Sequence, residues 1–212
     1  MNPATPFNAH NAHQNALDDG IDGRTARRDR NRFAVLDAVL ELYNEDNLAP
    51  SPDEVAQRSG VSLRSVYRYF SDMDDLLRSA AQRHSERIEA LALISQIGKG
   101  SLDERIGRFL EARMRIYEAA AATARASRLH AATNDIVREQ IETGRRRLRS
   151  QTEEQFANEF AQYDAKTKRA VMVAVDLLTQ IETIDLYRHN RRFSSVATAE
   201  MLEIALRRLM SQ

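Results

Sequence analysis

The sequence predicts an all-α protein, in which a small N-terminal helix-turn-helix domain is followed by a larger helical domain. Apolar residues recur at spacings of three and four along most of the 212 residues, and no alternating strand pattern of useful length interrupts them. Four prolines and seven glycines leave few breaks in regular structure, so we expect long helices. This length allows one or two domains, each with its own core.

The composition excludes several kinds of site. The chain has no cysteine, which rules out disulfides, thiolate metal sites and a cysteine nucleophile. Its five histidines occur in no metalloprotease-like or Glu-x-x-His spacing, and no Gly-rich phosphate loop is present. We therefore expect no catalytic residues, no metal and no cofactor. Without a long apolar run or a signal-like N-terminus, we also expect no membrane partner and a cytoplasmic location.

A short basic segment follows an N-terminal tail. Residues 1–23 lack any apolar period and are expected to be disordered. The next residues, RTARRDRNR, contain five arginines and one acid, and we call them the basic arm. A formal net charge of zero argues against a general polyanion binder, so the arm is either a solvated segment or a local contact surface. We expect the first domain to span 24–80 and the second 81–212.

The first two helices have clear boundaries in the sequence. A helical apolar pattern begins at Phe33 and ends near Asp46. Ser51, followed by proline and by Glu54 at the third helical position, forms a capping box that starts the second helix. Gly60 is expected to end that helix in the left-handed conformation. The second and third helices are therefore joined by a turn of about three residues.

The third helix has a distinct inner and outer face. Leu63, Val66 and Phe70 fall in one angular sector and should face the core, while Ser62 can cap the helix. The outer face carries Arg64, Ser65 and Arg68, with Tyr67 and Tyr69 on its flanks. A short helix, a glycine turn and a second helix with such an exposed face form a helix-turn-helix, whose second helix fits the DNA major groove.

The rest of the chain is predicted to be helical. A fourth helix restarts at Ser71 and Asp74, and the stretch QIGKGSLDE is the clearest break after it. The further predicted helices span about 102–126, 135–160, 165–188 and 196–210.

The stretch DEVAQRSGVSLRSVYRYFSDMDDLL resembles the signature of the TetR-like (tetracycline-repressor) family of bacterial transcription regulators. In that signature, an alanine-bearing helix leads through Gly-Val-Ser to a helix ending in Tyr-x-x-Phe, and paired leucines follow. The matching positions are Ala56, Gly60, Val61, Ser62, Tyr67, Tyr69, Phe70, Leu76 and Leu77. The match covers about residues 30 to 80, and the remainder agrees with the family in helix content and length.

The resemblance implies a sequence-specific DNA-binding transcriptional regulator, in the form of a ligand-responsive repressor that binds a palindromic operator as a homodimer. The partners it implies are double-stranded DNA, a second copy of the chain and a small-molecule effector. The candidate DNA-contacting residues are Arg28, Arg30, Arg32, Ser51, Ser62, Leu63, Arg64, Ser65, Tyr67, Arg68 and Tyr69.

These residue types suit contacts with DNA. Arg64 and Arg68 can donate to phosphate or, with two hydrogen bonds, to guanine O6 and N7. Ser65 allows close approach, and tyrosine hydroxyls at 67 and 69 can contact phosphate. Ser51 begins a helix whose first amides would lie near a phosphate if docking follows the family.

The chain departs from the family at the start of the fourth helix. The family usually has a phosphate-contacting lysine there, whereas this chain has Met73 between Asp72 and Asp74. Acidic side chains suit the helix dipole but repel DNA. We therefore expect the basic arm to supply affinity for the DNA backbone, for example in the adjacent minor groove.

The C-terminal helices have two implied roles. The last two would form the dimer interface through apolar residues that could equally be core, namely Val171, Met172, Val175, Leu178, Ile181, Leu202, Ala205, Leu206 and Leu209. The candidate effector-pocket residues are Met114, Tyr117, His130 and Glu182, with His189 beside them. The basic run GRRRLR at 144–149 is interpreted as a solvated helix face, with an anionic partner as the alternative.

A helical protein-interaction adaptor without DNA binding is the competing function. It accounts for the helices but not for the exposed cluster of arginine and tyrosine around Arg64 and Tyr67. Salt-dependent retention on nonspecific DNA separates the two functions, because an adaptor with zero net charge should show none.

Overall fold

The computed structural model describes residues 9–211, and their side chains from Gly23 onward. Within these residues it contains ten α-helices and one π-helical turn and no β-strand, so the all-α prediction is confirmed. The helices are α1 Ala9–Asn44, α2 Pro52–Ser59, α3 Leu63–Tyr69, α4 Met73–Leu91, α5 Leu102–His130, α6 Asp135–Gln155, α7 Ala157–Phe160, α8 Ala165–Leu178, α9 Ile181–Asp185 and α10 Ser195–Met210, with the π-helical turn at Leu186–Asn190.

The short helices α2 and α3 begin and end where the sequence predicts. The Ser51 hydroxyl accepts a hydrogen bond from the Glu54 amide at 3.3 Å, and the Glu54 carboxylate accepts one from the Ser51 amide at 2.7 Å. Gly60 follows α2 with a φ of 66°. Ser62 precedes α3 but makes no capping bond, because its hydroxyl instead donates to the Ser65 hydroxyl at 3.1 Å.

The N-terminal helices share one hydrophobic cluster. Its buried side chains come from α1 to α4 and include Val35, Leu36, Val39, Val55, Val66, Phe70, Leu76, Leu77 and Ala80. Ala122 and Ala126 of α5 also belong to it, so the N-terminal core continues into the C-terminal helices. The predicted division of the chain after residue 80 stays a prediction.

A second cluster fills the C-terminal helices. Its members include Ile106, Phe109, Leu110, Tyr117, Phe156, Phe160, Val175, Ile184, Leu202 and Leu206. Phe109 and Phe156 pack edge to face, with ring centroids 5.0 Å apart. Because α5 contributes to both clusters, it connects the helix-turn-helix to the C-terminal half of the molecule.

Two predicted helices are interrupted in the structure. The helix predicted over 165–188 ends at Leu178 because the Thr179 hydroxyl donates to the Val175 carbonyl at 2.8 Å and Gln180 has an extended backbone. The helix predicted over 135–160 is broken at Phe156, whose φ of −117° departs from helical geometry. An uninterrupted apolar pattern in the sequence conceals both breaks.

The first helix begins earlier than the apolar pattern predicts, because α1 starts at Ala9 rather than near Phe33. Residues 1–8 and the side chains before Gly23 lie outside the described part of the molecule. The prediction of a disordered tail over 1–23 therefore stays a prediction. None of the helices from Ala9 to Met210 combines the length and apolar character needed to cross a membrane.

Candidate nucleic-acid interface

Helix α3 presents a polar face to solvent. Val66 and Phe70, 2% and 3% exposed, hold its inner face in the N-terminal cluster, with Leu63 partly buried beside them. On the outer face, Tyr67 is 52% exposed, and Arg64 and Arg68 are also exposed. Seven residues of helix thus form a projecting ridge, as the helical spacing predicts.

The two arginines of this ridge differ in their contacts. The Arg68 guanidinium donates to the Tyr69 hydroxyl at 3.2 Å and to the Ser65 hydroxyl at 3.4 Å, and it lies 5.2 Å from the Tyr69 ring centroid. This hydrogen bond from Arg68 lowers the pKa of the Tyr69 hydroxyl. Arg64 makes no hydrogen bond or ion pair with any side chain from Gly23 to Ser211. Its donors are therefore available to a ligand.

The basic arm is helical and lies beside the end of α3. Arginine is a good helix former, so α1 continues through the segment. Arg28 and Asn31 lie close enough to the Tyr69 hydroxyl to lower its pKa, after the larger effect of Arg68. Arg30 is exposed, whereas the Arg32 guanidinium packs 5.1 Å from the Phe70 ring centroid and is partly buried. The arm and α3 thus form one basic surface.

The N-terminus of α2 is poorly suited to binding a DNA phosphate, although it is the end of the helix where free amides could do so. The Ser51 amide is already bound by the Glu54 carboxylate, and Asp53 adds a second acid to the first turn. Hydrogen bonds from Ser51 lower the pKa of Glu54, which keeps its negative charge at this helix end. Arg58, near the other end of α2, forms two hydrogen bonds of 2.8 and 2.7 Å with Glu45.

The acidic residues at the start of α4 accept hydrogen bonds from the backbone amides of their own helix terminus. The Asp72 carboxylate accepts from the Asp75 amide at 2.7 Å, and Asp75 accepts from the Ser71 amide at 3.1 Å. The Ser71 amide lowers the pKa of Asp75. Met73, where the family usually has lysine, is partly buried and packs against the N-terminal cluster. This position therefore contributes to core packing and offers no donor to DNA.

A second candidate site is a cavity of about 190 Å³ between α4, α5, α6 and α9. Of the predicted effector-pocket residues, only Glu182 lines it. Met114 and Tyr117 are buried in the C-terminal cluster, and the Tyr117 hydroxyl donates to Asp185. His130 is the last residue of α5 and His189 lies in the π-helical turn, and neither of them lines this cavity.

Besides Glu182, the ionisable residues that line the cavity are His84, Arg128 and Arg145, and none of these three was predicted as a pocket residue from the sequence. Arg145 belongs to the basic run at 144–149, and the interpretation of that run as a solvated face is wrong for this residue. Arg146, Arg147 and Arg149 are exposed, as expected. The helical period of the run could have indicated the position of Arg145. Leu148 follows three residues later on the same face of α6, and both side chains line the cavity.

The last helices leave apolar side chains uncovered. Val173 and Leu177 of α8 are 51% and 53% exposed, and Val196 and Ile204 of α10 are 67% and 64% exposed. None of these four was among the predicted interface residues. Of the predicted residues, Val175, Leu202 and Leu206 are buried in the C-terminal cluster. No three histidine, aspartate or glutamate side chains in the part from Gly23 to Ser211 are grouped to hold a metal ion.

Comparison with known proteins connects this geometry to a family. Residues 35–80 match the family model described as bacterial regulatory proteins, tetR family. No curated protein sequence matches the chain significantly.

Several solved structures are similar to the chain. A transcriptional regulator from Rhodococcus sp. Rha1 superposes with a TM-score of 0.64 at 16% identity, over 86% of this chain and 95% of its own. A protein from Rhodococcus sp. assigned to the TetR-family transcriptional regulators has a TM-score of 0.66 at 18% identity, over 85% and 99%. One from Streptomyces coelicolor A3(2), assigned as a transcriptional regulator, has a TM-score of 0.53 at 24% identity, over 86% and 99%.

At these identities the solved structures show a shared fold, and the family match locates the helix-turn-helix within it. The helix-turn-helix in residues 35–80 is therefore similar to the tetR family of bacterial regulatory proteins, and the chain shares the fold of these solved structures.

Proposed function

We propose that the chain is a ligand-responsive transcriptional repressor that binds a palindromic operator as a homodimer. The observation that carries the proposal is the exposed face of α3, where Arg64 has no partner among the described side chains and the basic arm lies alongside. Repression requires only that the bound protein blocks its DNA site. An additional activating surface is not needed to account for these features.

The two arginines of α3 are assigned different roles. Arg64, exposed and without a partner within the described part of the chain, can turn its guanidinium toward guanine O6 and N7 in the major groove. Arg68 is held by Ser65 and Tyr69, which favours a fixed contact with a phosphate. Tyr67, more than half exposed, supplies a hydroxyl beside them.

Backbone affinity is assigned to the basic arm. Arg28 and Arg30 are exposed on α1, and Arg28 lies close to Tyr69 at the end of α3. The acidic side chains in the first turns of α2 and α4 repel the phosphates of DNA at those two positions. The positive charge that binds the DNA backbone must therefore come from the arm. Because the arm is helical, we assign it to the phosphates flanking the major groove. Arg32 packs on Phe70 and is assigned a supporting role.

A homodimer is supported by the uncovered apolar side chains of α8 and α10. Val173, Leu177, Val196 and Ile204 are each more than half exposed, which is unusual for large apolar residues on two neighbouring helices. A twofold axis through this surface would bury them and present two copies of α3 to successive major grooves. We therefore assign the interface to these residues.

Response to a ligand is supported by the cavity of about 190 Å³. Its wall includes Ala81 and His84 of α4, the helix that follows the helix-turn-helix, and residues of α5, which packs against both clusters. A ligand with different affinities for two arrangements of α4 would shift the population between them. DNA affinity would change with that shift.

Selection of bound sequences from random duplex DNA, with the purified 212-residue protein, tests the proposal. The expected result is an enriched inverted repeat with half-sites about 10 base pairs apart, and a dimer mass by sedimentation. Arg64→Ala should relax the preference at one position in each half-site, whereas Arg146→Ala, on the exposed face of α6, should leave the enriched sequence unchanged. Failure to enrich any sequence, together with no salt-dependent retention on nonspecific DNA, would favour the adaptor function.

A further inference from the structure

The cavity is small, and most of its wall is apolar. Ile88 of α4, Ala120 of α5, Ile141 and Leu148 of α6 and Ile181 of α9 surround a volume of about 190 Å³. An apolar cavity of about 150 Å³ is large enough to hold benzene. The space therefore fits one six-membered ring with a small substituent.

The charged side chains lie at one part of this wall. Glu182 accepts from Arg145 at 2.8 Å, and the Arg128 guanidinium lies 3.8 Å from the same carboxylate oxygen, Oε1. Both arginines have a second carboxylate partner, which is Glu142 for Arg145 and Asp185 for Arg128. Glu182 pairs with no other cation in the described part of the chain. The lining thus contains two guanidinium groups and one carboxylate.

This arrangement discriminates by charge. A cationic ligand would meet Glu182 only between two guanidinium groups, which repel it. An anionic ligand would meet the same two groups, and Glu182 is the only carboxylate in the cavity lining that competes for them. The Glu182 side chain is 30% exposed, so it can turn to solvent. His84 adds no charge at neutral pH because burial lowers its pKa. The cavity therefore favours an anion.

We propose that the cavity binds a small carboxylic acid with a single six-membered ring, in its anionic form. The ring would occupy the apolar part, and the carboxylate would replace Glu182 between Arg128 and Arg145, where guanidinium groups match carboxylate geometry. The inference rests on the proposed function, since it gives the chemical class of the effector. It concerns binding alone and involves no covalent step.

Calorimetry and thermal shift with the purified protein, without DNA, test this inference. The probes are benzoate, the neutral benzyl alcohol and the cationic benzylamine. Benzoate should bind and raise the melting temperature in a concentration-dependent way, and should bind about tenfold more tightly than either analogue. Equal or tighter binding of benzyl alcohol or benzylamine would overturn the proposal, as would no binding of benzoate.

Variants identify the site. Glu182→Gln removes the competitor and should tighten benzoate binding, whereas Arg145→Gln should weaken it about tenfold. Arg146→Gln is the matched control, because its guanidinium contacts Thr143 on the exposed face of α6 and should have no effect. The gain in affinity expected for Glu182→Gln cannot result from misfolding, which makes it the decisive result. Unchanged or weaker benzoate binding by a folded Glu182→Gln protein would contradict the assignment. Since DNA is absent, a negative result leaves operator binding untouched, and the selection from random duplex DNA tests that separately.

Discussion

Arg125 of α5 and Asp46 in the turn after α1 are joined by a hydrogen bond of 3.1 Å between Nη2 and Oδ1. The other terminal nitrogen of Arg125 donates to Asp185 at 2.9 Å, and Asp185 also pairs with Arg128, which contacts Glu182 in the cavity wall. A continuous series of ion pairs thus extends from the cavity to the turn that precedes α2. It can transmit a ligand signal only if its members favour different arrangements in the two states.

The first prediction concerns the energy of this Arg125–Asp46 contact. Asp46 has a φ of 61°, which asparagine tolerates, so Asp46→Asn removes charge without adding backbone strain. A double-mutant cycle with Arg125→Gln, measured by urea unfolding, should give a coupling of about 0.2–1 kcal/mol that decreases at about 0.5 M salt. Strictly additive free energies of unfolding would show that the contact does not connect the two parts of the molecule.

The second prediction separates specificity from general affinity. Arg64→Ala should lower the preference for operator over unrelated DNA by about 1–3 kcal/mol, because it removes a contact with a base edge. Arg30→Ala, in the exposed part of the arm, should weaken both equally and reduce the salt slope by about one. Fluorescence anisotropy titrations with both duplexes at several salt concentrations measure the difference. The assignment fails if Arg30→Ala changes the preference while Arg64→Ala does not.

The third prediction concerns the turn before α3. Gly60 has a φ of 66° and open space where a Cβ would lie, so Gly60→Ala introduces backbone strain without a steric clash. We expect a loss of about 1 kcal/mol in the free energy of unfolding.

Gly107→Ala is the control for that substitution. Gly107 is exposed within α5, and no atom outside the surrounding helix backbone lies within 4 Å of the position that an added Cβ would occupy. Alanine should stabilise a helix interior by about 0.5–1 kcal/mol relative to glycine. Urea unfolding measures both variants. Equal effects of the same sign would mean that the left-handed conformation at Gly60 is not required.

The helix-turn-helix was predictable because its determinants are local. The capping pair Ser51 and Glu54, the left-handed Gly60 and the spacing of Val66 and Phe70 lie close together in the sequence and act through backbone geometry. The family resemblance located the departure at position 73. It did not show that Met73 packs against the core, since that depends on contacts with other helices.

The cavity could not be predicted because its charged residues are distant in sequence. Arg128, Arg145 and Glu182 come together only when α5, α6 and α9 pack, and α9 exists because the chain breaks at Thr179. The exposed apolar surface of α8 and α10 could not be predicted from the sequence for a related reason. Val173 and Val175 have the same residue type two positions apart, and only the packing of α8 decides which one is buried.

The fourth prediction is a pH dependence that involves His84. Burial lowers the pKa of this side chain, with a smaller contribution from Arg87, while the Ala119 carbonyl at 2.9 Å from Nε2 partly opposes the shift. The unfolded chain then binds a proton more readily than the folded one, so the stability conferred by neutral His84 is lost as the pH falls below about 6.5.

His84→Asn should make stability less sensitive to pH over this range. Urea unfolding at intervals from about pH 7.5 to about pH 5.5 should show a smaller decrease for the variant than for the original protein. Aspartate and glutamate side chains titrate mostly below this range, which isolates the histidine contribution. Parallel curves for the two proteins would contradict the lowered pKa.

The fifth prediction concerns the ion pair between Arg105 of α5 and Glu159 of α7. Arg105 Nη1 lies 2.6 Å from Glu159 Oε2, and both side chains are at least nine-tenths buried. Glu159→Gln leaves the guanidinium charge uncompensated in the interior, which should cost about 3 kcal/mol of unfolding free energy. Glu111→Gln, which breaks an exposed pair with Arg115 on α5, should change it by less than about 0.5 kcal/mol. Urea unfolding compares the two variants, and similar losses would show that burial does not determine the strength of these pairs.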